Sequence, residues 1–168
     1  MPDPSDHSFE QFYDAAFRRL VGQLFLVTHD LHEAEDHVQE AFARASTRWS
    51  KLREYEVPEA WVRRVALNLA ASSARRARRR LAVLARLAPP PQVPPASDDV
   101  LALLDALARL PMSQRQPVVL HYLIGMPQEQ VAAALGIATG TVKARLFRAR
   151  RALAAGLAEL ITEVKTDG

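Results

Sequence analysis

A chain of 168 residues with 49% apolar residues can hold one medium domain or two small ones around a buried core. Its lack of cysteine excludes a disulfide framework and a cysteine-bound zinc site, and suits a reducing cytoplasm. The net charge of +3 is unevenly spread: residues 1–60 hold six Lys/Arg and twelve Asp/Glu, while residues 61–97 hold eight Arg and no acid.

An acidic first third and a basic middle point to two kinds of partner, a basic protein surface and a polyanion. No apolar run approaches the ~18 residues of a membrane span, so no membrane is expected as a partner. The start, Met1-Pro2-Asp3-Pro4-Ser5-Asp6, has no apolar region and does not read as a signal peptide.

Ser8 with Gln11 reads as a capping box opening a first helix. Its stripe of Phe9, Phe12, Tyr13, Ala16, Phe17, Leu20, Val21 and Leu24 is wide enough to be core. Asp30 with Glu33 reads as a second box, opening a helix that runs to about Trp49. Ala34, Val38, Ala41, Phe42, Ala45 and Trp49 face inward there, and Asp36, Gln39, Glu40 and Ala43 face out. From composition alone these acids read first as dipole compensation on a solvated face.

Lys51 to Val57 reads as a loop and Pro58 as the start of a third helix. Trp61, Val62, Val65, Ala66 and Leu69 line its apolar side; Asn68 sits off that centre, with Arg63 and Arg64 beside it. The helix ends in Arg75-Arg76-Ala77-Arg78-Arg79-Arg80. Because this run continues an amphipathic helix, phosphate contact is favoured over a solubilising tail.

Five of the eleven prolines fall between Leu87 and Ser97. This stretch reads as a semi-extended linker. The expected division is a domain over 1–86, a Pro-rich linker over 87–97 and a domain over 98–168. Ser97 reads as the cap of a helix with Val100, Leu101, Leu103, Leu104, Leu107 and Leu110 as its apolar set, ended by Pro111. Ser113 with Gln116 opens another through about Ile124, with Pro117 tolerable near its first turn, and Gly125 ends it. The tail from Glu159 reads as fraying. No stretch alternates with a period of two, so the chain reads as all-α, two small helical domains joined by the linker.

The most informative stretch is Pro127 to Arg151. Pro127 suits the first position of a helix. Val131, Ala132 and Leu135 share a face, and Gly136 suits a left-handed helix end. Thr139 or Thr141 can cap a following helix. The layout is a helix-turn-helix. In its second helix Val142, Leu146, Ala149 and Leu153 form the buried stripe, and Lys143, Ala144, Phe147, Arg148 and Arg151 lie opposite. Residues 139–153 hold five cations and no acid. A basic outer face after a tight turn fits the DNA major groove. A solvated hairpin is the plainer reading, but an aromatic at Phe147 on a solvated face argues against it.

Catalytic signatures are missing. His32 and His37 are five apart and do not share a helix face, so no metal site is expected. There is no Gly-rich phosphate loop and no Gly-x-Ser-x-Gly, and the acids near Asp36 have no base or nucleophile tied to them. The chain reads as a protein that is not an enzyme and carries no cofactor.

Three stretches resemble one family, the extracytoplasmic-function (ECF) sigma factors of bacteria. Ala34 to Phe42 is similar to its core-polymerase-binding helix, Ala60 to Asn68 with the arginines after it to its minus-10 recognition helix, and Gly140 to Arg150 to its minus-35 recognition helix. Their order, their spacing and the Pro-rich linker agree too. The resemblance implies a transcription initiation factor that partners core RNA polymerase and promoter DNA. Asp36, Gln39 and Glu40 would dock on polymerase. Tyr55 in the loop 51–57 and Asn68 would hold an unpaired base of the melted minus-10 strand, with Arg63, Arg64, Arg75 and Arg76 also serving minus-10 DNA. Lys143, Ala144 and Phe147 would face minus-35 base edges, and Thr141, Arg145, Arg148 and Arg150 the phosphates. Ala144 stands where the family commonly has Ser, and whether an anti-sigma protein binds stays open. Two other readings stay beside this one: a helix-turn-helix regulator without sigma activity, and an RNA-binding helical protein.

Overall fold

The structure is a computed structural model that describes residues 4–84 and 93–166. It divides into two compact units, Met1–Pro94 and Pro95–Gly168. Among the described residues every regular element is helical. Residues 87–92 of the expected linker lie outside the described residues, and 93–97 have no regular structure.

The first unit holds α1 (Pro4–Thr28), α2 (Leu31–Ser46), α3 (Trp49–Leu52) and α4 (Pro58–Leu84). Helix α2 packs on both α1 and α4, and α3 packs on α1 and α2. The core is Leu20, Leu24 and Val27 of α1, Val38, Ala41 and Phe42 of α2, Trp49 and Leu52 of α3, and Val62, Ala66 and Ala70 of α4. Small residues on α2 (Ala34, Ala41 and Ala45, all fully buried) let its neighbours approach closely. Phe42 sits at the centre, edge-on to Tyr13 with ring centroids 4.9 Å apart. Burying one such ring stabilises the unit by about 2–3 kcal/mol.

Two local expectations fail here. The first helix starts at Pro4, where a missing N–H costs nothing, rather than at Ser8. The Ser8 hydroxyl instead accepts from the Trp49 indole N–H at 3.1 Å, while Trp49 stacks on Phe12 at 5.0 Å. The second helix also stops short of Trp49. It ends at Ser46, Thr47 and Arg48 form a turn, and Trp49 begins the one-turn α3. The first two of the seven residues of the expected loop, Lys51 and Leu52, are therefore helix, and residues 53–57 are irregular. The cap at Asp30 is present: its Oδ1 accepts the Glu33 backbone N–H at 3.1 Å. The returning half of the box is missing, because the Glu33 carboxylate pairs with His37 instead.

The second unit holds α5 (Asp98–Ala108), α6 (Met112–Val118) with a π turn over Val119–Leu123, α7 (Gln128–Leu135) and α8 (Thr139–Thr166). Helix α8 packs on α5, α6 and α7. Leu104, Leu107 and Leu110 reach the core, but Val100, Leu101 and Leu103 of the expected apolar set are exposed. Leu101 falls off the inward stripe, whereas Val100 and Leu103 lie on the same side as Leu104 and Leu107 and are left uncovered. Ser97 stands at the cap position of α5 without a side-chain bond. The C-terminal end of α5 is held from outside: the Arg115 guanidinium donates to the carbonyls of Leu107, Ala108 and Leu110 at 2.9–3.1 Å. Burial pushes that guanidinium's pKa down from its ordinary value.

Pro117 has no N–H to give the Ser113 carbonyl, and from Val119, two residues on, the helix widens. Ile124 N–H donates to Val119 C=O at 3.0 Å, and Met126 N–H to Leu120 C=O at 2.9 Å. Helix α8 also runs on to Thr166, where fraying was expected from Glu159.

Candidate nucleic-acid interface

The turn between α7 and α8 fixes the second unit's exposed basic helix. Gly136 closes α7 at φ 66°, ψ 37°, left-handed angles that cost a side-chain-bearing residue about 1 kcal/mol or more. Its N–H and that of Ile137 satisfy the Ala133 and Ala132 carbonyls. Pro127 takes the cap position of α7, one residue earlier than expected. At α8 the first bonds run from the Thr141 and Val142 N–H groups to the Ala138 carbonyl, so Ala138, not a threonine, occupies the cap.

Val142, Leu146 and Ala149 are fully buried, which rotates the rest of α8 outward. Thr141, Lys143, Ala144, Phe147, Arg148, Arg150 and Arg151 are exposed, and Arg145 is half-buried. Phe147 is 54% exposed, an apolar ring left largely to solvent. Arg151 lies 5.9 Å from its centroid. Arg150 Nη1 donates to the Tyr122 hydroxyl of the π turn at 2.7 Å. Among the described residues, Lys143, Arg145 and Arg148 make no ion pair. The result is a helix with unneutralised positive charge and an exposed aromatic on one side. Such a surface can take phosphates along its flanks and base edges at its centre.

In the first unit the expected minus-10 residues separate into two groups. Arg64, Asn68, Arg75 and Arg76 are exposed on α4, and Arg75 donates to the Ser72 hydroxyl at 3.0 Å. Tyr55 is exposed in the irregular segment before α4. Arg63 is not: its side chain is 16% exposed, the guanidinium donating to Glu59 at 2.8 Å and to Gln23 of α1 at 2.9 Å. Glu59 also receives Arg19 of α1 through two hydrogen bonds. Burial pushes Arg63 down from its ordinary pKa, against the Glu59 charge that raises it; the hydrogen bond to Glu59 raises Arg19. Arg63 therefore ties α1 to α4. The signal for this was Glu59, one helical turn before Arg63. Trp61 is half-buried, with the Arg48 guanidinium 6.0 Å from its ring.

The acidic surface lies on α2. Asp36, Gln39 and Glu40 are exposed and face away from the buried stripe. Asp36 lies 3.5 Å from His32, and Glu40 accepts from Arg44 at 2.8 Å, both i,i+4 contacts on the helix surface. Exposed pairs of this kind contribute about 0.5 kcal/mol or less, so neither locks the acid in place. Glu33 differs: a hydrogen bond from His37 holds its carboxyl below the ordinary range, against burial, with a further one from Ser73 of α4.

Comparison with known proteins covers both units. The sigma-70 region 2 model matches residues 12–80, and the sigma-70 region 4 model residues 101–153. The chain is 38% identical over 141 residues to the ECF RNA polymerase sigma factor SigL of Mycobacterium tuberculosis, covering 80% of each chain. It is 31% identical over 164 residues to SigM of the same organism, covering 94% of this chain and 81% of the relative. A similar solved structure is the sigma factor RpoE of Bartonella quintana, co-crystallised with the anti-sigma factor NepR. The TM-score is 0.70 at 27% identity, over 90% of this chain and 97% of that one.

Proposed function

Because this chain belongs to the ECF sigma factors, promoter-directing transcription initiation factors of the sigma-70 superfamily, we propose residue-level roles for its three exposed surfaces. Residues 1–86 work as the core-polymerase and minus-10 domain, 98–168 as the minus-35 domain, and 87–97 as the linker between them. Asp36, Gln39 and Glu40 dock on core RNA polymerase. Tyr55, Arg64, Asn68, Arg75 and Arg76 serve the melted minus-10 strand, with Arg63 holding α4 in position behind them. Extruding a base costs a few kcal/mol, which contacts around Asn68 must offset. Lys143, Ala144 and Phe147 read minus-35 base edges; Thr141, Arg145, Arg148 and Arg150 hold phosphates. The factor acts without chemistry of its own, in the cytoplasm. Its likeness to a sigma factor crystallised with an anti-sigma factor makes an anti-sigma protein a partner of this chain as well.

The observation that carries this reading is α8: an acid-free cationic face bearing an exposed phenyl ring, oriented by the left-handed turn at Gly136. Core RNA polymerase supplemented with the full chain should start transcription only on promoters recovered by selection from a randomised library. The Asp36→Lys, Glu40→Lys double variant should keep its helicity and fail to co-elute with core enzyme. Co-elution of that variant would move the docking surface elsewhere. Promoter binding by the free chain without any transcription would instead favour a regulator lacking sigma activity.

A further inference from the structure

Among the described residues, the exposed cations Arg44 and Arg19 are met by acids, Glu40 and Glu59. Two others are met by neutral hydroxyls: Arg75 by Ser72, three residues away on its own helix, and Arg150 by a residue of another element. Arg150 Nη1 donates to a phenol, Tyr122, at 2.7 Å, and the bond is exposed to solvent. A carboxylate there would cancel the charge. A neutral hydroxyl restricts the guanidinium's rotation and leaves the full positive charge. One N–H of the five is used, so the others can still reach an anion.

The π turn explains how Tyr122 reaches this position. Val119 and Leu120 are fully buried. Continuing at the α-helical period, Leu123 would fall on the same buried face three residues after Leu120. Instead the widened turn leaves Leu123 40% and Tyr122 48% exposed. His121 pins the turn from within, its Nδ1–H donating to the Met126 carbonyl at 2.7 Å. Arg150 lies two turns after Lys143, on the same flank of α8. An exposed hydrogen bond contributes little to folding. The geometry fits a role outside stability.

We propose that Tyr122, outside the helix-turn-helix, is a positioning residue for DNA binding: its hydroxyl holds the Arg150 guanidinium on the flank of α8 for one backbone phosphate of the minus-35 duplex. The proposal rests on α8 being the minus-35 reader. A guanidinium already restrained loses less rotamer freedom on binding.

The test uses holoenzyme built from core RNA polymerase and the full chain, on a duplex recovered from a randomised minus-35 library, at several salt concentrations. Arg150→Ala should weaken binding on all sequences alike and reduce the log K against log salt slope by about 0.9. Tyr122→Phe should weaken binding about three- to tenfold, with a smaller reduction in slope and unchanged sequence preference. The double variant should bind no more weakly than Arg150→Ala alone. Tyr122→Gln, which restores an acceptor, should recover most of the loss. The proposal is overturned if Tyr122→Phe matches the parent while Arg150→Ala does not, or if the two losses simply add. If Lys143→Ala and Arg148→Ala also leave binding unchanged, α8 is not the reader, and the proposal falls with that premise.

Discussion

Helices α4 and α8 have much in common in sequence: both are long, amphipathic and rich in arginine. In the folded chain their cations are used in opposite ways. Arg63 of α4 is drawn against Glu59 and Gln23, at 16% exposure, and ties two helices together. Lys143 and Arg148 of α8 are exposed, and neither has an ion-pair partner among the described residues. The difference follows from what stands one turn away. Glu59 precedes Arg63 by four residues, whereas residues 139–153 contain no acid. In these two helices the partly buried cation with an acid one turn away helps hold the fold, and the exposed cations without one are left to an external anion. Helix α4 makes the same change along its own length, because its second half is acid-free and exposed from Arg75 to Arg80.

The sharpest way to break the comparison is Glu59→Ala. It leaves Arg63 partly buried without its carboxylate, at an expected cost of about 3 kcal/mol. Both tryptophans, Trp49 and Trp61, lie in the first unit, so denaturant unfolding followed by tryptophan fluorescence reads that unit alone. An unshifted midpoint would show that Arg63 is not structural. Next in size are Lys143→Ala and Phe147→Ala, which should change minus-35 preference by about 1–3 kcal/mol per base pair without moving that midpoint. A uniform loss on every library member would mean that α8 sits rotated in the groove.

Asn68→Ala tests the exposed side of α4. It should impair transcription on duplex promoters more than on premelted ones, since only the former require strand capture. Equal effects on both templates would remove Asn68 from that step. Arg148→Ala should weaken all minus-35 sequences alike and lower the salt slope by about 0.9, again with fluorescence unfolding unchanged.

The smallest expected effect is that of Glu33→Gln. The parent carboxyl is held low by His37, so its stabilisation is present above pH ~4.5 and fades as pH falls through the folded value. The variant should lose stability less steeply on acidification, by under about 1 kcal/mol because the pair is part-exposed. Identical acid limbs would show that the contact is not formed in solution.

The all-helical fold and the helix-turn-helix were legible because periodicity and turn chemistry coincide there. Val142, Leu146 and Ala149 fall at helical spacing, and Gly136 stands where only left-handed angles close the turn. Exposure of Asp36, Gln39, Glu40, Asn68 and Phe147 followed from the same period. What escaped was set by contacts distant in sequence. Ser8 has the local chemistry of a cap, yet its hydroxyl is claimed by Trp49, forty-one residues away. The break at Thr47 carries no Gly or Pro and reflects how Trp49 packs between Phe9 and Phe12. Arg115 looks like a surface cation, but three carbonyls at the end of α5 draw it in. The widening at Val119–Leu123 rests on bonds from Ile124 to Val119 and from Met126 to Leu120, and no periodic pattern records those.

That widened turn also makes the spacing between Pro117 and Gly125 tolerant of the loss of one residue. A π turn is a helix carrying one surplus residue. Removing any one residue from Val119 to Leu123 would let the segment close as an ordinary α-turn, and the main chain would lose no hydrogen bond. Because the surplus residue is taken up inside the turn, everything downstream would keep nearly its present direction and height relative to α6. Substitutions in this segment change one side chain each, whereas a single-codon deletion would remove the widening itself, and with it the exposed placement of Tyr122, while leaving α7 and α8 aimed as they are.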